Sequence, residues 1–232
     1  MLMNGETLFI HVPKVGGMSV TAWLLNNLDG QIFLSVPETA RDHARGTLEF
    51  DDIEPRLNFL PGGRHERISP ALTKCTKWQI GKPKRIFVLV RPAYDLIRSY
   101  FQYCQKPKIA ARMSKKVKLA GDLKLARAGD FPDFARNCTI LGKNPERMLG
   151  YYNCADPTIA LDIIPLEHAS EYLARQFGAH ENYGRLKMPR RNASKEKMDF
   201  DPVAQEIIAR RFSELQSIYD QAVASWSSGL TE

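Results

Sequence analysis

The chain has 232 residues, of which 44% are hydrophobic and 25% are charged, and its formal net charge is +7. This composition is ordinary for a soluble globular protein with one sizeable core. No apolar run approaches the ~20 residues that a membrane-spanning helix needs, and the first residues lack the pattern of a secretory signal. We therefore expect a cytoplasmic protein that forms a single domain over residues 1–232.

The mild basic excess suits an anionic ligand, although many proteins carry this much charge without using it. The four cysteines are far apart in the sequence and form no Cys-x-x-Cys or Cys/His cluster. This spacing argues against a structural zinc site and favours reduced thiols. We therefore expect no metal.

The predicted elements alternate between strands and helices. Apolar patterning predicts a strand at 7–12 and a helix at 18–28, whereas residues 29–63 mix breakers with apolar residues and give no clear element. Further along the chain we predict helices at 69–80, 94–104, 111–128, 131–141 and 167–177, strands at 85–90 and 160–164, and a last helix opened by Asp201 and Pro202. The alternation predicts an α/β fold with a central parallel sheet flanked by helices.

The first strand runs into a turn that contains a lysine and two glycines. Residues 8–20 read LFIHVPKVGGMSV, so Lys14, Gly16 and Gly17 lie between the strand and the first turn of a helix. Glycines let a backbone approach a ligand closely, the first helical turn has unpaired N–H groups, and lysine adds positive charge. The turn therefore predicts an anion site. It lacks the GxxxxGK pattern of a nucleotide P-loop, and a tight turn with an exposed lysine is an equally open interpretation.

A second motif follows the strand at 85–90. Arg91 comes directly after this strand, and Ser99 lies eight residues further on, within a predicted helix. Open α/β sheets bind ligands at the carboxyl ends of their strands, and the planar guanidinium of arginine suits a phosphate. The structural alternative is that Arg91 pairs with a carboxylate and Ser99 packs in its helix. Together the two motifs indicate a ligand with two separated anionic groups.

Both motifs resemble those of the sulfotransferases that use 3′-phosphoadenosine 5′-phosphosulfate, especially the carbohydrate group of the heparan sulfate 2-O type. FIHVPKVGGMSV is similar to their 5′-phosphosulfate loop, commonly FIHIPKTGGTS, and VLVRPAYDLIRSYF is similar to their 3′-phosphate motif, commonly FVRDPYERLVSAY. Weaker matches follow in the same order, namely FPDFA at 131–135, LDIIPLEHASEYLARQFG at 161–178 and MPRRNASKEK at 188–197. The resemblance extends from residue 8 to about residue 220.

The resemblance implies a P-loop-like, three-layer α/β fold and 3′-phosphoadenosine 5′-phosphosulfate as the donor. It assigns the 5′-phosphosulfate to Lys14, Val15, Gly16, Gly17, Met18 and Ser19. It assigns the remaining donor contacts to Arg91, Ser99, Arg191, Asn192 and Ser194. Met18 stands where the family usually has threonine, and Leu96 stands where a second arginine is common, so an inactive relative is also open.

Sulfuryl transfer to a hydroxyl needs a general base, and histidine suits this role near neutral pH. His65 precedes the 3′-phosphate strand by 26 residues, counted to Arg91, and a histidine at a similar distance is the base in several carbohydrate sulfotransferases. We predict that His65 is the base and that Lys14 stabilises charge on the leaving oxygen. An exposed loop histidine is the alternative for His65, the runners-up for the base are His43 and Glu66, and His11 is expected to be packed.

The expected acceptor is a hydroxyl of a glycan or glycoconjugate. Trp78, Tyr151 and Tyr152 are candidates either for stacking on sugars or for core packing. Two other functions are open, a non-catalytic nucleotide or glycan binder and a small-molecule kinase. A nucleic-acid partner is not expected, because no motif combines aromatic and basic residues.

Overall fold

A computed structural model gives the structure of the protein and describes residues 1–107, 109, 117–141, 144–189 and 198–229. The chain divides into two compact units. The sheet unit comprises Met1–Val90 and Gly150–Asn192, and the helical unit comprises Arg91–Leu149 and Ala193–Glu232. The single domain predicted from the sequence stays a prediction.

The sheet unit contains one mixed sheet. Its strands are β1 Leu2–Asn4, β2 Thr7–Ile10, β3 Ile32–Val36, β4 Leu57–Pro61, β5 Arg85–Val90 and β6 Ala160–Pro165. Their order across the sheet is β4-β3-β1-β2-β5-β6. The pairs β2–β5, β5–β6 and β3–β4 are parallel, whereas β1 is antiparallel to both of its neighbours.

The antiparallel strand β1 corrects the prediction of a wholly parallel central sheet. Only Gly5 and Glu6 connect β1 to β2, and Gly5 has a φ of 52°. So short a connection forms an antiparallel hairpin, since a parallel pair needs a crossover of roughly a dozen residues. The α/β class is confirmed, because the other five strands run in one direction and helices follow them along the chain.

Three of the strands are those that the sequence predicts. β2, β5 and β6 correspond to the predicted strands at 7–12, 85–90 and 160–164, and β2 and β5 are parallel neighbours. β2 ends at Ile10, two residues early, because the N–H of Val12 donates to the carbonyl oxygen of Ile10 at 3.1 Å and turns the chain. The centre of the sheet is apolar, and the rings of Phe9 and Phe87 stack 4.9 Å apart.

The α-helices in the described part of the chain are α1 Gly17–Asn27, α2 Arg41–Arg45, α3 Ile68–Lys77, α4 Ala93–Gln105, α5 Val117–Ala128, α6 Phe131–Asn137, α7 Pro145–Leu149, α8 Ala169–Phe177, α9 Pro202–Arg211 and α10 Ser213–Ser228. Short 3-10 helices lie at Glu38–Ala40, Asp51–Arg56 and Leu166–His168. None of them is both long and apolar enough to cross a membrane. The predicted helices at 18–28, 94–104 and 167–177 correspond to α1, α4 and α8. The first residues of the helix predicted at 111–128 lie outside the described residues.

Local geometry explains where the other helices depart from the prediction. α3 ends at Lys77 rather than at residue 80, because Gln79 adopts a left-handed φ of 52°. α6 ends at Asn137 rather than at residue 141, since Cys138 is already extended. The single last helix is instead α9 and α10, because Phe212 leaves the helical conformation and its side chain is buried.

Candidate functional site

The turn between β2 and α1 has a left-handed backbone at two positions. Lys14 has a φ of 67° and Gly16 a φ of 81°. For a residue with a Cβ this conformation costs ~1–2 kcal/mol, so the surrounding structure imposes it on Lys14. A Cβ on Gly16 would also lie 2.7 Å from Leu166 Cδ1. The turn is therefore a constrained feature of the fold.

The imidazole of His11 packs against the first residue of α1. His11 follows β2 directly and is 4% exposed, and a Cβ on Gly17 would lie 2.4 Å from its Cδ2. Thr21 Oγ1 lies 3.4 Å from His11 Nδ1. Gly17 therefore permits the close approach of a side chain, whereas the sequence alone indicates the approach of a ligand.

Burial holds the pKa of His11 well below its usual value of 6.5, and the nearby charges of His65 and Arg64 lower it further. His11 is therefore neutral at neutral pH. This buried, neutral ring is the packed residue that the sequence predicts, and it forms one wall of the site.

His65 lies in the loop between β4 and α3 and contacts His11. The two ring centroids are 4.7 Å apart with the rings nearly perpendicular, and His65 Nδ1 lies 3.0 Å from the backbone carbonyl oxygen of His11. A carbonyl oxygen only accepts hydrogen bonds, so Nδ1 is the donor and carries the proton. The neutral ring then has its lone pair on Nε2, as a base acting through Nε2 requires.

Tyr151 holds the backbone of His65. Its hydroxyl donates to the carbonyl oxygen of His65 at 2.9 Å, and burial raises the pKa of Tyr151 well above its usual value, so the donor stays protonated. Tyr151 and Tyr152 are both buried, so core packing rather than sugar stacking describes them. Trp78 is half-buried, and the Lys74 ammonium lies 5.6 Å from its ring centroid.

Arg64 brings a guanidinium to the first turn of α1. Its Nη1 lies 2.9 Å from the Sδ of Met18. A thioether is a weak acceptor without charge, so this contact holds the guanidinium without neutralising it. Arg64 thus adds positive charge beside the start of α1, close to the turn that contains Lys14.

Glu66, a runner-up for the base, is engaged in an ion pair. Its Oε1 accepts hydrogen bonds from the N–H of Gly63 at 2.9 Å and from Ser35 Oγ at 3.3 Å, and it pairs with the ammonium of Lys74 in α3. The Glu66 side chain is 10% exposed. Within the described ranges, no hydrogen-bond donor reaches its other oxygen, Oε2. Glu66 therefore fastens the loop that contains His65.

The start of α1 has the features of an anion site. In the described part of the chain no side chain caps this helix, and its first turn has no acidic residue. The N–H of Ser19 donates to the carbonyl oxygen of Gly16 at 2.9 Å, and Val15 is buried. The helix end retains the positive character that favours anions.

The second motif belongs to the helical unit. Arg91 is the residue after β5, and its Nη2 lies 3.8 Å from Asp95 Oδ2. Asp95 also accepts a hydrogen bond from Arg98 Nη2 at 2.6 Å, and Ser99 is half-buried in α4. The sequence leaves open whether Arg91 pairs with a carboxylate. Asp95, four residues further along the chain, is such a partner.

Three further candidates lie outside the described residues, and the histidines other than His11 and His65 have positions or contacts of their own. Arg191, Asn192 and Ser194 lie outside the described residues, and His43 is exposed on α2. His168 Nδ1 lies 3.6 Å from Glu171 Oε2, and His180 Nδ1 accepts a hydrogen bond from the N–H of Asp29 at 3.1 Å. In the described ranges, no three His, Cys, Asp or Glu side chains cluster as metal ligands.

Comparison of the chain with known protein families, with curated proteins and with solved structures found no match. The functional assignment therefore depends on the sequence motifs and on the geometry of the turn, of α1 and of the loop that contains His65.

Proposed function

We propose that the protein is a sulfotransferase that moves a sulfuryl group from 3′-phosphoadenosine 5′-phosphosulfate to a hydroxyl, most simply one of a carbohydrate. The observation that carries the proposal is the hydrogen bond from His65 Nδ1 to the carbonyl oxygen of His11 at 3.0 Å. This bond sets the tautomer of a histidine whose loop also contacts the first turn of α1 through Arg64 and Met18. A candidate base and a candidate anion site therefore meet in the sheet unit.

The residues at the start of α1 fit an anionic donor. The first turn contains no acidic residue within the described chain, and Arg64 adds a positive charge to that of Lys14. In this proposal the 5′-phosphosulfate is held by the turn and the first residues of the helix, namely Lys14, Val15, Gly16, Gly17, Met18 and Ser19. Met18 contributes its backbone N–H, because its side chain has no hydroxyl.

The 3′-phosphate is assigned to Arg91 and Ser99 in the same proposal. This assignment is supported by the resemblance of their motif to that of the sulfotransferases. The resemblance likewise supports roles for Arg191, Asn192 and Ser194 and a P-loop-like three-layer arrangement. The cytoplasmic location stays a prediction from the sequence.

The residues of the chain supply a base and charge stabilisation. His65 Nε2 accepts the proton of the acceptor hydroxyl while the acceptor oxygen forms its bond to sulfur and the bond from sulfur to the bridging phosphate oxygen breaks. The hydrogen bond from Nδ1 to His11 keeps the ring in one orientation throughout. Lys14 stabilises the negative charge that develops on the bridging oxygen, and loss of one comparable donor costs ~2.7–4 kcal/mol in other enzymes.

Binding of the donor product is the first test. 3′-Phosphoadenosine 5′-phosphate without magnesium is expected to raise Tm, because a ligand that binds only the native state stabilises it. Lys14→Ala and Arg91→Ala are each expected to reduce the shift, and Lys77→Ala, which removes an exposed lysine of α3, is the control. A larger shift with ATP and magnesium would favour the kinase, and full shifts in both site variants would refute the assigned site.

Transfer of labelled sulfate to a panel of glycans and small alcohols tests catalysis. His65→Ala is expected to lose about 10²-fold or more in turnover while its affinity for the donor product stays nearly unchanged. His43→Ala, which removes an exposed histidine, is the matched control and is expected to lose much less. Near-normal turnover in His65→Ala would place the base elsewhere, and binding without transfer would favour a non-catalytic binding protein.

A further inference from the structure

We infer that three side chains, Ser35, Glu66 and Lys74, form a clamp that positions His65, and this inference rests on the role proposed for His65 above. The members of the clamp come from three elements, which are β3, the loop between β4 and α3, and α3 itself. They converge on Glu66, the residue that directly follows His65.

The clamp gathers three donors on one carboxylate oxygen. Glu66 Oε1 accepts from the N–H of Gly63 at 2.9 Å and from Ser35 Oγ at 3.3 Å, and it pairs with Lys74. Lys74 also donates to the carbonyl oxygen of Pro61 at 3.3 Å. Charge-assisted hydrogen bonds are strong, and a buried carboxylate that loses its partner is costly, so the loop is held in one conformation.

The backbone of the loop is wrapped closely around the clamp. Gly62 has a φ of 150°, and a Cβ there would lie 2.5 Å from Glu66 Oε1 and 2.7 Å from Ser35 Oγ. Ser35 Oγ also lies 3.3 Å from the carbonyl oxygen of Gly63. Only glycine leaves room for this approach at position 62, whereas a Cβ on Gly63 would lie 3.9 Å from Glu66, an ordinary contact distance. Gly62 is therefore part of the same device, and Gly63 contributes its backbone N–H.

The unsatisfied oxygen of Glu66 indicates that the clamp does more than add stability. Within the described ranges Oε2 is buried without a hydrogen-bond partner, which is a cost that folded proteins usually avoid. An apolar contact would attach the loop to the sheet without that cost. A charged clamp instead specifies one loop geometry, and this geometry places His65 Nδ1 at the carbonyl oxygen of His11.

The tautomer of His65 is the property that the clamp controls. With the clamp intact, Nδ1 donates to His11 and the lone pair is on Nε2. Once the clamp is broken, the loop is free to shift, the hydrogen bond to His11 loosens, and the neutral ring exchanges between its two tautomers. Glu66 and Lys74 are thus positioning residues that act on the base through the loop.

Nitrogen-15 NMR of the histidine rings measures this property directly. The signals of His65 are assigned by their loss in His65→Phe, and spectra are recorded above the pH at which the ring titrates. The wild-type ring is expected as the Nδ1–H tautomer. In Glu66→Gln and in Lys74→Met the two ring-nitrogen shifts are expected to move towards each other. Glu38→Gln and Lys77→Met remove an exposed carboxylate and an exposed ammonium and are expected to leave the shifts unchanged.

An unchanged tautomer in both clamp variants would overturn the inference, as would a wild-type ring that already exchanges between tautomers. A variant that only lowers Tm while its folded form keeps the wild-type ring shifts would show a merely structural role. If Glu66→Gln does not fold, Ser35→Ala removes one donor and gives the same readout with a smaller change. The readout needs no donor, so a wild type that fails to bind 3′-phosphoadenosine 5′-phosphate overturns the proposed function alone.

Discussion

Met18 occupies the position at which the sulfotransferases usually have threonine, and its thioether contacts Arg64. The chain thus lacks a neutral hydroxyl donor at the start of α1 and has a guanidinium close to the same place. The sulfur is uncharged, so this contact does not itself neutralise the guanidinium. If the protein binds the donor as proposed, this guanidinium offsets the loss of the threonine hydroxyl.

Substitution of Met18 by threonine separates the effect of the missing hydroxyl from the effect of the contact with Arg64. Met18→Thr is expected to tighten binding of 3′-phosphoadenosine 5′-phosphate by a factor of a few to about ten, since one neutral hydrogen bond contributes ~0.5–1.5 kcal/mol. The gain is expected to be larger in an Arg64→Ala background, because there the substitution no longer removes the contact with Arg64. Titration calorimetry on the four proteins measures both gains.

Arg67→Ala removes an exposed arginine of the same loop and is the matched control for Arg64→Ala. Weaker binding by Met18→Thr in both backgrounds would mean that the methionine side chain contributes directly to the site. Equal gains in the two backgrounds would mean that the Arg64 contact is energetically silent.

Residue-level contacts mark the limit of what the sequence reveals. The motifs alone locate the turn from Lys14 to Ser19 and single out His65. They do not reveal that Arg64 reaches Met18 or that Tyr151 reaches the backbone of His65, because these pairs are 46 and 86 residues apart in the chain. Such contacts depend on how loops fold back over the sheet, and no local pattern encodes that.

Among the secondary-structure elements, α1 and α5 each contain a glycine, but only the glycine of α1 is required by the side chains packed around it. Gly17 begins α1 under the ring of His11, whereas Gly121 lies exposed within α5 and a Cβ there would meet no atom within 4 Å. Glycine in an open helix interior is unfavourable relative to alanine. Gly17 is therefore needed by the fold, and Gly121 is not.

Alanine substitutions at these two glycines are expected to act in opposite directions. Gly121→Ala should raise the free energy of unfolding by ~0.5–1 kcal/mol. Gly17→Ala should lower it by ~1–3 kcal/mol, because the new Cβ would overlap the buried ring. Urea denaturation of the two variants measures both changes, and each variant is the control for the other. A neutral Gly17→Ala would show that His11 moves aside easily.

Strong local patterns predict elements, whereas very short strands and breaks within a repeating helical pattern escape prediction. β5 is found from its run of apolar residues, RIFVLV, because a parallel strand buried on both faces needs no polar alternation. β1 has only three residues, which is too short for any periodicity. The sequence does not reveal that the last helix is interrupted at Phe212, because apolar residues keep helical spacing on both sides of this residue.

Over the molecule as a whole, the buried neutral His11 links stability to pH. Its folded pKa lies well below 6.5 because of burial, while the unfolded chain has the ordinary value of about 6.5. Below pH ~6.5 the unfolded chain therefore binds a proton that the folded protein does not bind. The stability that the neutral His11 contributes is fully present above pH ~6.5 and is lost as the pH falls towards the pKa of His11 in the folded protein.

As the pH falls, His11 alone is expected to lower the free energy of unfolding by at most ~1.4 kcal/mol per pH unit. Urea denaturation at a series of pH values from 7 to 5 is expected to show a flatter dependence for His11→Gln than for the wild type, although the variant starts from a lower stability. His43→Gln, which changes an exposed histidine, should retain the wild-type slope. A slope in His11→Gln as steep as that of the wild type would mean that His11 is protonated in the folded protein.

The hairpin of β1 and β2 also indicates the order in which the strands pair during folding. It pairs residues that are neighbours in the chain, whereas the pairing of β2 with β5 joins Thr7 to Arg85 and that of β5 with β6 joins Arg85 to Ala160. Closing long loops costs more entropy, so local pairs form early and distant pairs late. We therefore expect folding to start at the hairpin, to extend to β3, and to bring β2 beside β5 only afterwards. The strands that precede the two candidate anion motifs thus pair near the end of folding.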